Sequence, residues 1–305
     1  MKPLLKWVGG KRQLLPQLRR FYPQTFDRYI EPFFGSGAVF FDLFSAGRLD
    51  GHDVVLIDSN ADLIGCYEAV RDDAAAVAAA LKRLAAAHAA DGRAHYLAVR
   101  DQRFNPLRES RRAADGRIAY TPELAAMLIY LNRTGFNGLF RLNARGAFNV
   151  PPGRYDRPKI LDRQKLEAVA LALASPRVQL VWGGFECSRD FARDGDFLYF
   201  DPPYAPLTKT SNFTSYTAAR FDADDHARLQ AVVVDLAKRG CYVLVSNSTA
   251  DEIGALYERS ASAHAAGLHA FRVPARRAIN SKASARGAVE EFVITNIQAP
   301  ATHTN

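Results

Sequence analysis

At 305 residues, 48% hydrophobic and 24% charged, the chain has the composition of an ordinary globular protein with a sizeable buried core, which excludes fibrous and disordered classes. No unbroken apolar run approaches the roughly 18 residues of a membrane-crossing helix. The three cysteines, Cys66, Cys187 and Cys241, lie far apart without Cys/His ligand spacing, so neither a zinc site nor a disulfide framework is expected. A formal net charge of +8 favours a polyanionic partner.

The first residues, MKPLLKWVGGKRQLL, are basic and lack the apolar stretch and cleavage site of a secretory signal. Residues 29–31 read as a strand leading into the turn Phe33-Phe34-Gly35-Ser36-Gly37, with a helix starting near Ala38. Residues 54–58, VVLID, form a second strand ending on Asp58. From 62 to about 104 the pattern is helical, including the alanine-rich run AAAVAAALKRLAAAHAA. Residues 103–117 hold a polar, Arg-rich connection to which the sequence assigns no role. A further helix is expected over 122–132. It is followed by the punctuated stretch RTGFNGLFRLNARGAFNVPPGRY, suited to loops or a hairpin.

Residues 133–165 carry eight Arg or Lys against two Asp, interleaved with Phe136, Asn137, Leu139, Phe140, Asn143, Asn149 and Tyr155. Such a run is either a solvated charged face or a nucleic-acid surface. Strands are then expected at 178–182, 197–200 (FLYF), 242–246 and 292–295, with a helix over 222–238. Arg276, Arg277, Lys282 and Arg286 precede the last strand, as a charged loop or as an extension of the basic surface. Strands alternating with helices predict an α/β, Rossmann-like sheet with helices on both faces, interrupted by a mainly helical basic insertion. The division expected is 1–62 with 163–305 as one domain and 63–162 as the insertion.

Two elements point to an adenosine-bearing cofactor, either NAD or S-adenosylmethionine. Gly35 and Gly37 make a strand-to-helix turn that a ligand can approach. Asp58 ends the next strand about twenty residues downstream, where an acid accepts from ribose hydroxyls. A third element separates the two cofactors. Asp201-Pro202-Pro203-Tyr204 follows FLYF at its carboxyl end, where open α/β sheets bind ligands. Two prolines remove two N–H donors and stiffen the loop, leaving a carboxylate, a fixed carbonyl and an aromatic face. These match the two N–H donors and flat ring of an adenine: Asp201 accepts one, the Pro202 carbonyl the other, and Tyr204 stacks. Both hydrogen bonds would localise the amino lone pair toward a sulfonium methyl, so that catalysis is positioning plus electrostatics.

With those residues in view, the chain resembles the Dam-type (alpha-class) S-adenosylmethionine-dependent DNA adenine-N6 methyltransferases nearly end to end. The resemblance runs through Leu5-Lys6-Trp7-Val8-Gly9-Gly10-Lys11, Glu31-Pro32-Phe33-Phe34-Gly35-Ser36-Gly37 and Leu131-Asn132-Arg133-Thr134-Gly135-Phe136-Asn137-Gly138-Leu139-Phe140-Arg141. It continues through Gly146-Ala147-Phe148-Asn149-Val150-Pro151, Asp201-Pro202-Pro203-Tyr204 and Phe213-Thr214-Ser215-Tyr216. Phe136 stands where tyrosine is frequent, and Phe140 occupies a variable site.

The resemblance implies S-adenosylmethionine as methyl donor without a metal, and extrusion of the target adenine from duplex DNA. It implies cofactor contacts from Trp7, Lys11, Phe34, Gly35, Gly37, Asp58 and Asp201, and chemistry at Asp201, Pro202, Pro203 and Tyr204. The insertion becomes a target-recognition domain. There Lys6, Asn137 and Arg141 approach bases, Phe136 wedges into the stack, Leu139 and Pro151 meet a thymine methyl, and Arg145, Arg154 and Lys159 meet phosphates. GATC is the first guess for the site. A monomer in the cytoplasm of a bacterial or phage-infected cell is expected, with a cognate restriction endonuclease, where one exists, acting separately. Residues 205–216 are expected to order only with DNA and cofactor bound. The alternatives are an amino-methyltransferase acting on cytosine N4 or RNA, a nicotinamide dehydrogenase, which leaves the Asp-Pro-Pro-Tyr run unexplained, and a catalytically silent DNA-binding relative.

Overall fold

The computed structural model describes residues 1, 3–7, 9–206, 221–276 and 288–298. Seven strands form one sheet: β1 (Arg28–Pro32), β2 (Asp53–Asp58), β3 (Val178–Trp182), β4 (Phe197–Phe200), β5 (Tyr242–Ser248), β6 (His269–Arg276) and β7 (Ala288–Thr295). Their order is β3-β2-β1-β4-β5-β7-β6, and β7 alone runs against its neighbours. β1 therefore lies between β2 and β4, both parallel to it, at the point where the chain switches from building one half of the sheet to the other.

Alternation along the strands divides the core in two. Tyr29, Leu56, Tyr199 and Leu244 enter one apolar cluster, while Ile30, Val55, Ile57, Leu198, Phe200 and Val245 enter the other. Burial on both faces is what makes the parallel strands read as continuous apolar runs. Helix Ala223–Lys238 contributes Leu229, Val232, Val233 and Leu236 to the second cluster, and its Asp222 and Asp225 complete a capping box. The first cluster is covered by helices Ala38–Ser45, Ala61–Asp72 and Arg163–Leu173. Helices Ala74–Ala90 and Pro122–Thr134 of the insertion bury Leu81, Leu128 and Leu131 in that same cluster. No described helix is long and apolar enough to cross a membrane.

The helical pattern from residue 62 resolves into separate helices because acceptor side chains restart it. Asn60 accepts from the N–H groups of Asp62 and Leu63, Asp73 from Ala76, and Asp91 from Ala94. After helix Gly92–Ala98 comes a π-helical turn, Val99–Phe104, then helix Asn105–Ser110. The punctuated stretch is a hairpin, bridged at Gly135 with Pro152 and at Leu142 with Phe148. Among the elements without a sequence expectation are the Arg163–Leu173 helix, the Val99–Phe104 π turn, and β6, an edge strand that tolerates Pro274 where a central strand would not.

The turn after β1 takes left-handed backbone at Phe33, Gly35 and Gly37. Phe33 has φ 63°, its ring stacked on Phe185 at 5.3 Å. Gly37, at the N-cap of the Ala38–Ser45 helix, has φ 66°, and a Cβ there would lie 2.5 Å from the Phe34 ring. Gly37→Ala is expected to cost about 2–5 kcal/mol, from left-handed backbone plus overpacking. Urea unfolding measures it, and a variant as stable as the parent would show that the turn relaxes freely.

Candidate functional site

The carboxyl ends of β2, β1 and β4 present Asp58, Glu31 and Asp201. Asp58 accepts from the Gly35 N–H through one oxygen and the Asn60 N–H through the other, each at 2.9 Å. Burial pushes its pKa up to about 6 against the pull of those two bonds. The strand-end acid and the glycine turn are thus one unit, and lone pairs on both oxygens remain for a ligand's hydroxyls. Gly35 has φ 50°, and a Cβ on it would meet Trp7 at 3.1 Å, so the glycine admits the indole over the turn. Trp7 in turn stacks on Phe140 of the hairpin at 5.9 Å. Phe34 is buried among Phe40, Phe41 and Tyr67, so its side chain belongs to the core and the turn offers backbone only.

Asp201 is bound on one oxygen by two donors: the Lys11 ammonium at 2.7 Å and the Ser246 hydroxyl at 2.9 Å. Among the described residues its other oxygen takes no hydrogen bond. Burial raises the Asp201 pKa, opposed first by Lys11 and then by Ser246. Lys11 is only 7% exposed, donates to the Gly9 carbonyl at 2.6 Å, and lies 4.2 Å from the centroid of the Tyr204 ring. The Tyr204 hydroxyl donates to Glu291 on β7 at 2.8 Å. Pro202 is buried and Pro203 exposed. The turn is tied to the end of β5, where Asn247 accepts from the Ala205 N–H at 3.3 Å and the Ser248 hydroxyl donates to the Ala205 carbonyl at 2.7 Å.

Sequence reasoning missed Ser246, Asn247, Ser248, Glu291 and Glu31. A run of three small polar residues ending an otherwise apolar buried strand was the available signal for the first three. Glu31 is 2% exposed and accepts from the Tyr29 hydroxyl at 2.7 Å and the Phe40 N–H at 3.0 Å. Burial drives its pKa to about 8 despite those bonds, and the charges of Asp201 and Asp58 add to the rise.

The basic surface is assembled around Asn132, which is 3% exposed. Its side chain accepts from the Lys6 N–H at 2.8 Å and donates to the carbonyls of Lys6 at 2.7 Å and Gly138 at 2.8 Å. Gly138, at φ 64°, packs so close that a Cβ would fall 2.5 Å from the Lys6 side chain. Lys6 therefore sits beside the turn bearing Phe136, 46% exposed, and Asn137, exposed at φ 53°. The Lys6 ammonium lies 4.3 Å from the Tyr155 ring centroid. Pro151, Arg145, Arg154 and Lys159 are exposed, with Lys159 paired to Asp162 at 2.8 Å. Arg141 folds back across the hairpin, donating to the Asn149 side chain at 2.7 Å and the Asn149 carbonyl at 3.1 Å. Leu139, expected to meet a thymine methyl, is buried in the core cluster beneath the turn. Val8, the 213–216 run, Arg277, Lys282 and Arg286 lie outside the described residues, as does most of 205–216; only the backbone of Arg276 is described.

A family profile described as "D12 class N6 adenine-specific DNA methyltransferase" matches residues 7–271. The chain is 37% identical over 298 residues to the Type II methyltransferase M1.LlaDCHI of Lactococcus lactis subsp. cremoris, covering 97% of this chain and 95% of that one. It is 38% identical over 307 residues to the Type II methyltransferase M.MjaIII of Methanocaldococcus jannaschii, covering 97% and 99%. To the DNA adenine methylase of Escherichia coli strain K12 it is 32% identical over 292 residues, covering 96% and 94%.

Glu31 holds its proton to higher pH in the folded protein than in the unfolded chain. Its stabilising contribution is complete below the ordinary value of 4.5 and is lost as pH rises toward about 8. Glu31→Gln stays neutral and still accepts from Tyr29 and Phe40. It is expected to gain roughly 1–3 kcal/mol at pH 8 and almost nothing near pH 4.5. Urea unfolding at both pH values reads this, and equal shifts at the two would contradict the assignment.

Proposed function

The chain belongs to the D12 class of N6 adenine-specific DNA methyltransferases, and from that premise we propose how its residues divide the work of methylating adenine in a short duplex site. Residues 1–62 and 163–305 form the catalytic part and 63–162 the DNA-facing insertion. The protein acts as a monomer on double-stranded DNA in the cytoplasm, and GATC is the sequence to test first.

S-adenosylmethionine fits the residues present. Its ribose hydroxyls match the remaining lone pairs of Asp58. Its positive charges match the half-buried carboxylates Asp58 and Asp201, with Glu31 buried beside them in its protonated form. When bound, it supplies an electrophilic methyl on a sulfonium. Trp7, the backbone at Gly35 and Gly37, and Asp58 would hold it, with Lys11 closing the site from the amino-terminal side.

Asp201 carries the proposal. The oxygen that takes no hydrogen bond from the described residues is the natural acceptor for one N–H of the adenine amino group. Lys11 and Ser246 hold the other oxygen and so fix the carboxylate plane. The Pro202 carbonyl accepts the second N–H. Tyr204, fixed at its hydroxyl by Glu291, provides the face for the ring once Lys11 yields that face. As the amino nitrogen gains positive charge, Asp201 stabilises it and accepts its proton; burial, which raises the carboxylate's pKa, makes it the better acceptor. Extrusion of the base is assigned to Phe136, the exposed aromatic of the hairpin turn. Lys6, Asn137, Arg141 and Pro151 face the bases. Arg145, Arg154 and Lys159 face phosphates and set affinity and its salt dependence.

Purified protein, methyl-labelled S-adenosylmethionine and unmethylated duplex DNA test this directly. Label should appear in N6-methyldeoxyadenosine, and Asp201→Ala, shown folded by its melting curve, should lose at least about a hundredfold in rate. Label on cytosine would move the reaction to another amino group. Undiminished labelling by the variant would remove Asp201 from the chemistry.

A further inference from the structure

The Arg-rich segment 103–117 and the helices leading into it grip the hairpin by its backbone. The Tyr96 hydroxyl donates to the Val150 carbonyl at 3.0 Å, and Arg100 donates to the same carbonyl at 2.9 Å. Asn105 pairs with Phe148 in both directions, donating to its carbonyl at 3.0 Å and accepting from its N–H at 2.8 Å. Arg108 donates to the Gly146 carbonyl at 2.7 Å. Four side chains thus address alternate residues of one hairpin strand, at 146, 148 and 150.

The π turn makes this row possible. At 3.6 residues per turn an unbroken α-helix would place Asn105 about 180° around the axis from Tyr96. The wider π turn absorbs one residue, bringing Asn105 to about 80° and Arg108 to about 20°. Pro106, which lacks an N–H and crowds the preceding turn, accounts for the irregularity.

Arg108 also anchors the row to the sheet. Its Nε and second Nη donate to Asp62 at 2.6 and 2.8 Å, with both side chains 3% exposed, and the Tyr120 hydroxyl adds a third bond to Asp62 at 2.9 Å. Asp62 lies in the first turn of the helix capped by Asn60, whose N–H binds Asp58. A rigid chain of contacts therefore runs from the strand-end acid to the hairpin backbone.

We infer that Tyr96, Arg100, Asn105 and Arg108 form a splint that sets the register of the hairpin against the DNA, making them positioning residues for sequence discrimination. This rests on the reading of the hairpin as the DNA-contacting element. Its opposite strand carries Arg141, and its turn at 143–146 carries Arg145, so a hairpin free to slide or tilt would present both to more than one base step. Backbone contacts suit such a role, because they fix position without depending on the hairpin's own side chains.

The test uses the full-length protein and a duplex library randomised over a six-base window, with methylated sites read by sequencing. Wild type defines the preferred site and its single-base neighbours. Asn105→Ala removes two hydrogen bonds without stranding a buried charge. Arg108→Lys keeps a cation for Asp62 but cannot span both partners. Each is expected to lower preference for the cognate site over its neighbours by about tenfold, with KM for S-adenosylmethionine unchanged within about twofold. Arg103→Ala, whose guanidinium pairs with Glu123 away from the hairpin, should keep the wild-type preference. Folded variants that lose rate equally at every site, or that discriminate as wild type does, would overturn the splint alone. A wild-type protein that methylates no site would overturn the methyltransferase reading and the splint with it.

Discussion

Three carboxyl groups, Glu31, Asp58 and Asp201, end three adjacent parallel strands, and the rest of the site is organised by the cost of keeping them there. The strand order brings them together, and burial raises the pKa of each. Each is managed differently. Glu31 is the most deeply desolvated and retains its proton. Asp58 is bound by two main-chain N–H groups that belong to the glycine turn and the next helix. Asp201 has a cation, Lys11, and a hydroxyl, Ser246. The last arrangement rests on side chains alone, and it is the one placed beside an aromatic face.

Lys11 belongs to a short amino-terminal segment that is fixed at both ends. Asn132 binds the Lys6 backbone through its N–H and its carbonyl, and the same side chain binds Gly138 at the start of the hairpin. Five residues later the Lys11 ammonium meets Asp201, with Trp7 between them against Gly35 and Phe140. A shift of the hairpin turn therefore reaches the chemical site through one brief stretch of chain.

Much of this was legible because buried parallel strands leave little room for polar residues. VVLID and FLYF stood out for that reason, and the acids Asp58 and Asp201 marked the carboxyl edge of the sheet. The edge strand β6 hid because solvent on its open side permits Pro274 and arginines. The π turn hid because periodicity assumes a constant angle per residue, and Pro106 was its only mark. Residues 136–141 show a different limit. Sequence cannot sort the apolar residues of a turn into exposed and buried; the left-handed Asn137 and Gly138 turn Phe136 out and Leu139 in. Arg141 was legible as a basic residue of the hairpin, but its fold-back onto Asn149 depends on a cross-strand pairing that only the folded hairpin creates.

The Asp-Pro-Pro-Tyr turn takes its meaning from what surrounds it. Two prolines fix the backbone, yet a fixed backbone alone would leave the Asp201 carboxylate free to rotate. Ser246 and Lys11 hold one of its oxygens, while Asn247 and Ser248 anchor the chain just beyond Tyr204. Glu291 holds the far end of the tyrosine. Apart from Lys11, which the amino-terminal segment supplies, these supports come from β5 and β7, the strands beyond β4. In the reaction proposed above, acceptors set before an amino group arrives would leave little reorganisation to be made as charge develops on its nitrogen, the condition under which fixed dipoles and charges lower a barrier most.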